Sequence, residues 1–371
     1  MKLAIIGAGF MGKIIAEQAR ELHVETHCFA WEQGAVAKEA VYYFYPISVT
    51  EREEILKKCM AIGIDGVIGS ASVTLETTAY IAEEMGLNGN PLRIALEIKD
   101  KYRNRRLTES IEELGRVRVK KVTCAEDLEG LSLPIILKPS KAGGKAGLTV
   151  IENKEDMEAA FRYAVESGYE EFVAEEYIRG GKEYSVESLT YRGRNYILQV
   201  TDKVSGGPPH CVELAHHQPA NLSPVLRKRV EIAVDKILTA LGIENGPCHT
   251  EIKIVDDVIY LIEVNGRMGG GHISHPLVEL STGYSYVKGV IQVALDCFEG
   301  LDTEKLLSRY ASVFFVTEQT KNLKPIFDRC ESYPWCYTKH EATKTLQPLI
   351  KNDGYRINYF IYYSPDEPPS F

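Results

Sequence analysis

Tyr260-Leu261-Ile262-Glu263-Val264-Asn265-Gly266-Arg267 is an apolar run with two oxygen-bearing side chains set two residues apart. Its composition predicts a strand over 258–264, and residues i and i+2 of a strand face the same way. Glu263 and Asn265 therefore project together, and Arg267 follows on the same side. An earlier strand-like run, 249–254, is joined to it by the turn at Asp256-Asp257, so a hairpin sets Glu251 beside the pair. Three hard oxygen donors on one hairpin face, with no His or Cys among them, suit Mg2+ held jointly by protein and phosphate oxygens, with Mn2+ as the alternative ion. Acids in that number are expensive to bury without a cation. A guanidinium at Arg267 is then placed to stabilise charge on a transferring phosphoryl group.

Upstream lie partners for a nucleotide. Residues 134–139 form an apolar strand ending in Lys138-Pro139, followed by Ser140-Lys141-Ala142-Gly143-Gly144-Lys145-Ala146-Gly147. Backbone amides of Gly143, Gly144 and Gly147 can wrap a polyphosphate while Lys138 adds a point charge; taken alone, the loop reads equally as a flexible hairpin. Next, Ala174-Glu175-Glu176-Tyr177-Ile178 runs to Gly180-Gly181-Lys182-Glu183. A connecting strand there offers a backbone edge complementary to adenine, and Glu183 can accept from ribose hydroxyls. Without that context it is a solvated strand.

The chain begins MKLAIIGAGFMG, with Gly7, Gly9 and Gly12 between an apolar run (3–6) and a helical pattern (13–22). That context also fits a dinucleotide site, which needs an acid after the second strand; Glu32, one step past Trp31, is the sole candidate. Strands over 3–6, 26–30 and 66–69 alternate with helices over 13–22, 51–61 and 75–85, which predicts a doubly wound parallel sheet. The turn Asn88-Gly89-Asn90-Pro91 closes this unit. A charged helix is expected over 99–114 and carries Lys101. Strand-like segments dominate from 171 onward, interrupted by a long helix over 224–241. The fold class is α/β, turning α+β in its C-terminal part.

The chain has 371 residues, enough for two or three domains. Its net charge of −9 argues against a nucleic-acid partner. The basic cluster at 99–106 suits a phosphorylated small molecule or a solvated helix face. Eight cysteines are scattered without a CxxC pair, so reduced thiols in the cytoplasm are expected. No run approaches a membrane span, and no export signal is read at the start.

Taken in order, Lys101, Lys138 with its glycine loop, 175–178 with Glu183, then Glu251 and Glu263-x-Asn265-x-Arg267 resemble the ATP-grasp superfamily. More narrowly they are similar to its carboxylate–amine ligases, which include bacterial L-amino-acid ligases. The family's Lys-Tyr-x-x-Arg pattern looks like Lys101-Tyr102 and Arg105, and its Gly-Pro-x-His-x-Glu segment like Gly246, Pro247, His249 and Glu251. An amino-acid-ligase-like stretch is matched by Glu213, His216 and Pro219. The resemblance implies a Rossmann-like pre-ATP-grasp domain (1–93), linker helices (94–133), a small lid subdomain (134–176) and a large subdomain with closing strands (177–371). It implies ATP and Mg2+ as cofactors, small-molecule carboxylate and amine substrates, and a homodimer as in many relatives. Arg267 would be catalytic; Lys101, Lys138, Gly143, Gly144, Gly147, Glu175, Glu176, Tyr177, Ile178 and Glu183 would bind nucleotide; Glu251, Glu263 and Asn265 would bind metal. Glu213, His216, His249, Gly269, Gly270 and His272 would face substrate.

The implied reaction phosphorylates a carboxylate and lets an amine attack the acylphosphate. Two departures bear on it: Lys145 stands where the lid usually has serine, and 269–275 lacks the acid relatives carry near the glycines. His216, His217, His272 and His275 either bind a carboxylate or sit as partly exposed loop residues. The rival readings are a bicarbonate-activating carboxylase of the same superfamily, a nucleotide-binding module without ligase activity, and an oxidoreductase resting on the N-terminal glycines. With a nucleotide constellation at 101–267, those glycines are assigned to packing and to the wall of a substrate cleft.

Overall fold

Three sheets carry the chain, and a computed structural model describes residues 1–141, 147–207, 212–350 and 354–371 of it. The first sheet contains β1 (Lys2–Ile6), β2 (Glu25–Phe29), β3 (Tyr43–Tyr45) and β4 (Gly66–Gly69) in the order β3-β2-β1-β4. All neighbours are parallel, joined through α1 (Phe10–Glu21) and α2 (Arg52–Ile62), with α3 (Leu75–Met85) following β4. Burial on both faces explains the unbroken apolar runs of β1 and β4. Gly7 has φ of +100°, and a Cβ there would lie 2.4 Å from Ser70 Oγ; at Gly12 it would lie 2.4 Å from the Gly7 carbonyl. Both glycines thus let α1 dock against the β1 turn. Glu32, the acid a dinucleotide site would need, is exposed and paired with Lys38 at 2.7 Å.

Between the first and second sheets run α4 (Leu92–Glu97) and α5 (Lys101–Thr108), where the sequence predicts one helix over 99–114. Asp100 breaks the run: its backbone is extended and its carboxylate caps α5 by accepting from Arg103 N at 3.1 Å. Beyond Thr108 the chain is drawn off as Leu114 bridges to Ile259 and Gly115 N donates to the Ile259 carbonyl at 2.7 Å. The second sheet, order β5-β8-β6-β7, is antiparallel: β5 (Val119–Val122), β6 (Ile135–Pro139), β7 (Thr149–Ile151) and β8 (Phe172–Glu176). Its edge strand β5 falls within the 94–133 segment expected to hold helices. α6 (Met157–Glu166) covers one face, packing Ala160 and Ala164 over Leu137, Ile151 and Phe172.

The third sheet has eight antiparallel strands: β9 (Lys182–Tyr191), β10 (Arg194–Ser205), β11 (Glu213–Gln218), β12 (Gly246–Val255), β13 (Val258–Asn265), β14 (Tyr310–Phe315), β15 (Cys336–His340) and β16 (Tyr359–Ser364). Their order is β13-β12-β9-β10-β11-β14-β16-β15. α7 (Pro224–Ala240) begins as its sequence predicts, with Ser223 Oγ accepting from Leu226 N at 3.2 Å and Pro224 in the first turn. The segment Tyr286–Ala294 is a helix wedged between the third sheet and the first. A Cβ on Gly66 would lie 2.5 Å from the Ala294 carbonyl. One continuous core therefore joins Leu3 and Ile5 to Leu189, Leu198 and Val290. Among the described residues no helix is long and apolar enough to cross a membrane.

Candidate active site

The β12–β13 hairpin puts Glu251 directly opposite Glu263, and His249 opposite Asn265. An extra residue on β13 between Leu261 and Glu263 makes a bulge, and Arg105 fills the ladder gap by donating to the Leu261 and Ile262 carbonyls. Both acids are partly open, with side chains 19% and 24% exposed. Two carboxylates facing each other across strands repel, and a divalent cation offsets that. Asn265 Nδ2 donates to Glu263 at 2.8 Å, which leaves its amide oxygen as a third hard donor. The three residues fit Mg2+ or Mn2+ completed by phosphate oxygens. The described residues contain no group of three or more His, Cys, Asp or Glu that would cage a metal alone.

Two lysines converge on the same place. Lys101 Nζ lies 3.8 Å from Glu263, and Lys138 Nζ 2.7 Å from Glu175. Burial holds the Lys101 ammonium below its ordinary range, with Glu263 partly compensating and Lys138 adding repulsion. A polyanion would relieve that repulsion. Glu175 is turned inward at 3% exposure and also takes Arg105 Nε and Nη2 at 3.0 Å each. Burial opposes its charge, but the two cations outweigh it and hold the carboxyl down to about 2. Its side chain therefore anchors α5 and β6 to β8.

The strand expected over 172–178 ends at Glu176. The N–H groups of Glu176 and Tyr177 go to the Arg118 and Pro134 carbonyls, and the Ile178 carbonyl accepts from Lys253 at 2.8 Å. The Ile178 N–H makes no bond to a described residue. Glu183 faces Lys203 across β10 and Lys253 across β12. Gly147, with φ of +66°, packs so closely that a Cβ would sit 2.5 Å from Ser167 Oγ. Gly143, Gly144 and Lys145 lie outside the described residues.

A buried polar ring ties Glu251 to the loop after Arg267; its members Glu187 and Lys203 are not among the residues the sequence singles out. One arm runs through His249, whose Nε2 is 3.2 Å from Glu251 and whose Nδ1 bonds the fully buried Glu187. Glu187 then accepts from Gly269 N at 3.1 Å and Ser274 Oγ at 2.5 Å. The other arm runs through Lys203, 3.1 Å from Glu251 and 2.7 Å from Glu213, to His216, which bridges Glu213 (3.0 Å) and the Gly271 carbonyl (2.8 Å). Burial opposes charge on His249, but Glu187 and Glu251 outweigh it and push the imidazole up to about 9. His216 and His272 are buried, not partly exposed loop residues. His272, at φ +68°, packs at a tilt against the rings of Tyr355 and Tyr359, and burial pulls it down to about 3.

Arg267 stands at the edge of a 480 Å³ cleft walled by Gly7, Gly9, Phe10 and Ser72 on one side and by Met268, Gly270 and Tyr355 on the other. Its Nε donates to Ser72 Oγ and its Nη1 to the Met268 carbonyl, each at 2.8 Å. The turn that follows β4 thus supplies a hydrogen bond that orients Arg267. A Cβ on Gly9 would meet nothing within 4 Å, so this glycine leaves the cleft open.

Residues 131–275 match the family model for an ATP-grasp domain. The alanine–anticapsin ligase of Bacillus subtilis is 27% identical over 251 residues, 59% of this chain and 51% of that protein. The chain therefore spans about half the length of such relatives. The formate-dependent phosphoribosylglycinamide formyltransferase of Methanocaldococcus jannaschii is 26% identical over 301 residues, covering 72% of this chain and 70% of that one. Among solved structures, an L-amino acid ligase from Bacillus licheniformis superposes with a TM-score of 0.80 at 23% identity, covering 98% of this chain and 93% of the other. A carboxyaminoimidazole ribonucleotide synthetase in its ADP complex gives 0.78 at 16% identity, with coverage of 98% and 93%. The ATP-grasp domain match thus sits at the centre of the chain, and nearly the whole chain shares its architecture with these solved structures.

Proposed function

We propose that the protein is an ATP-dependent ligase that joins a carboxylate to an amine through an acylphosphate, acting on amino-acid-like substrates and giving ADP and phosphate. The observation that carries the reading is the opposed pair Glu251 and Glu263, with Lys101 beside it and Arg267 two residues past Asn265. The amino-acid-ligase relatives support the substrate class. The described cysteines are free thiols, which suits work in the reducing cytoplasm.

In this reading Lys101 and Lys138 hold the nucleotide phosphates, and the Ile178 N–H and Glu183 meet adenine and ribose. Glu251, Glu263 and Asn265 would hold Mg2+, which supplies charge neutralisation between the phosphates when bound. Arg267, fixed by Ser72 and the Met268 carbonyl, orients the acceptor carboxylate in line with the terminal phosphate and stabilises the charge that builds on the acyl oxygens. The buried ring keeps Gly269–Gly271 and Glu251 in one geometry, so the donor and acceptor halves stay in register. The experiment is a phosphate-release screen with ATP, Mg2+ and pairs of amino acids, with mass spectrometry of the products. Release that requires both a carboxylate and an amine, with an amide product, is expected. Release that requires bicarbonate instead would favour the carboxylating members of the superfamily.

A further inference from the structure

Among the described residues lining the cleft, Arg267 is the one charged side chain; no Asp, Glu, Lys or His shares the wall. Gln33, Ser70, Ser72 and Thr74 add neutral polar groups, and the rest is small, apolar or aromatic. Phe10 and Tyr355 stack with ring centroids 5.0 Å apart, Trp31 is 51% exposed, Val73 is 54% exposed, and Met268 and Val49 complete the apolar surface. Exposed apolar side chains gathered in a concavity mark a ligand surface. With Nε and Nη1 engaged, Arg267 has Nη2 left, which makes no bond to a described residue.

These features discriminate by charge. A single carboxylate meets one guanidinium edge. A phosphate dianion or a second carboxylate would find no second cationic side chain among the described lining residues, only neutral hydroxyls, Gln33 and the first turn of α1, and an ammonium would find no acid there. Either loses hydration with no opposite charge among those residues beyond Arg267 to replace it. We propose that this cleft binds a monocarboxylic acid with an uncharged, apolar or aromatic body, its carboxylate on Arg267, and that an α-ammonium on that molecule adds nothing to affinity. The inference rests on the ligase reading for the orientation of the carboxylate, and it goes beyond that reading in making the amino group dispensable on this substrate.

The test reads binding, not turnover. The chain has two tryptophans, and Trp335 packs outside the cleft lining against Phe360, Tyr362 and Phe371, so Trp335→Phe leaves Trp31 as the sole tryptophan reporter. Its emission is followed, with MgADP present, against L-phenylalanine, L-leucine, 3-phenylpropionate, L-phenylalaninamide, L-glutamate, L-lysine and ribose 5-phosphate. The first three should saturate, with 3-phenylpropionate within about threefold of L-phenylalanine; the amide, lacking the carboxylate, should bind at least about tenfold more weakly. The three remaining charged probes should not saturate in the same range. The proposal is overturned if L-glutamate or ribose 5-phosphate binds as tightly as L-phenylalanine. It is overturned equally if L-phenylalanine binds more than about tenfold tighter than 3-phenylpropionate, or if no probe saturates while ADP does. Should Trp335→Phe fail to fold, calorimetry on the unaltered chain gives the same ranking. Apolar acids that bind without supporting phosphate release would defeat the ligase reading and leave this one standing; turnover of charged acids would do the reverse.

Discussion

Glu251 is hemmed in by His249 and Lys203, while Glu263 has Lys101 at 3.8 Å, so the two facing acids differ in how firmly they are neutralised. Glu263 is the acid with more to gain from a metal. Glu263→Gln should abolish ATP turnover while the melting temperature stays within a few degrees; a well-folded variant with normal activity would defeat the metal assignment. Arg267→Ala should cost about 10²-fold or more in turnover and leave ADP affinity nearly unchanged, because in the proposed reading the lysines and the 174–183 segment carry nucleotide binding. Arg267→Lys should restore only part, since a point charge does not reproduce the fork that reaches Ser72 and the substrate together. His249 gives a pH signature. Its folded value, near 9, lies above the ordinary 6.5, so its contribution to stability is complete below pH 6.5 and is lost as pH rises toward 9. Denaturation midpoints between pH 6.5 and 8.5 should fall more steeply for the unaltered protein than for His249→Gln. Parallel curves would show that the His249–Glu187 pair carries no such linkage.

At the scale of elements, Arg105 does the joining. It ties α5 to β8 through Glu175 and to the β13 bulge through two carbonyls. Arg105→Ala leaves a buried acid half-paired and the bulge carbonyls unbonded. A loss of ~3 kcal/mol in urea denaturation is expected, together with weaker nucleotide binding, because Glu175, the partner of Lys138, is no longer held in place by Arg105. Loss of less than a third of that would mean Lys138 alone satisfies Glu175. Strand parity made the Glu251, Glu263, Asn265 and Arg267 set legible in the sequence, because each spacing is local. The partner of Arg105, the role of Glu187 and the place of Lys203 were not legible, because they depend on how elements far apart in sequence are set against one another. The strand β11 was hidden for a different reason: Glu-Leu-Ala-His-His-Gln has no β-branched or aromatic residue, and only its neighbours β10 and β14 make it a strand. The helix expected over 99–114 failed at Asp100, whose capping carboxylate is a start signal inside a run that looks uniformly charged.

On the scale of the whole molecule, the first sheet is a working wall of the site, and the glycines that suggest a dinucleotide fold serve its packing and its cleft. Ser72 reaches Arg267 across 195 residues of sequence, and the Tyr286–Ala294 helix fuses the first and third sheets into one core. The residues proposed for metal and acceptor are therefore held by a single body, while Lys138 of the proposed nucleotide site comes from the small second sheet beside it. The claim that a carboxylate is activated by phosphorylation is tested most directly with isotope. Amino acids labelled with 18O in the carboxyl group are supplied with ATP and Mg2+, and the released phosphate is examined by mass spectrometry. If an acylphosphate forms and is attacked by an amine, one labelled oxygen per turnover appears in the phosphate and the amide product retains the other. Phosphate released without the label, or labelled only when 18O-bicarbonate replaces the amino acids, would contradict the account.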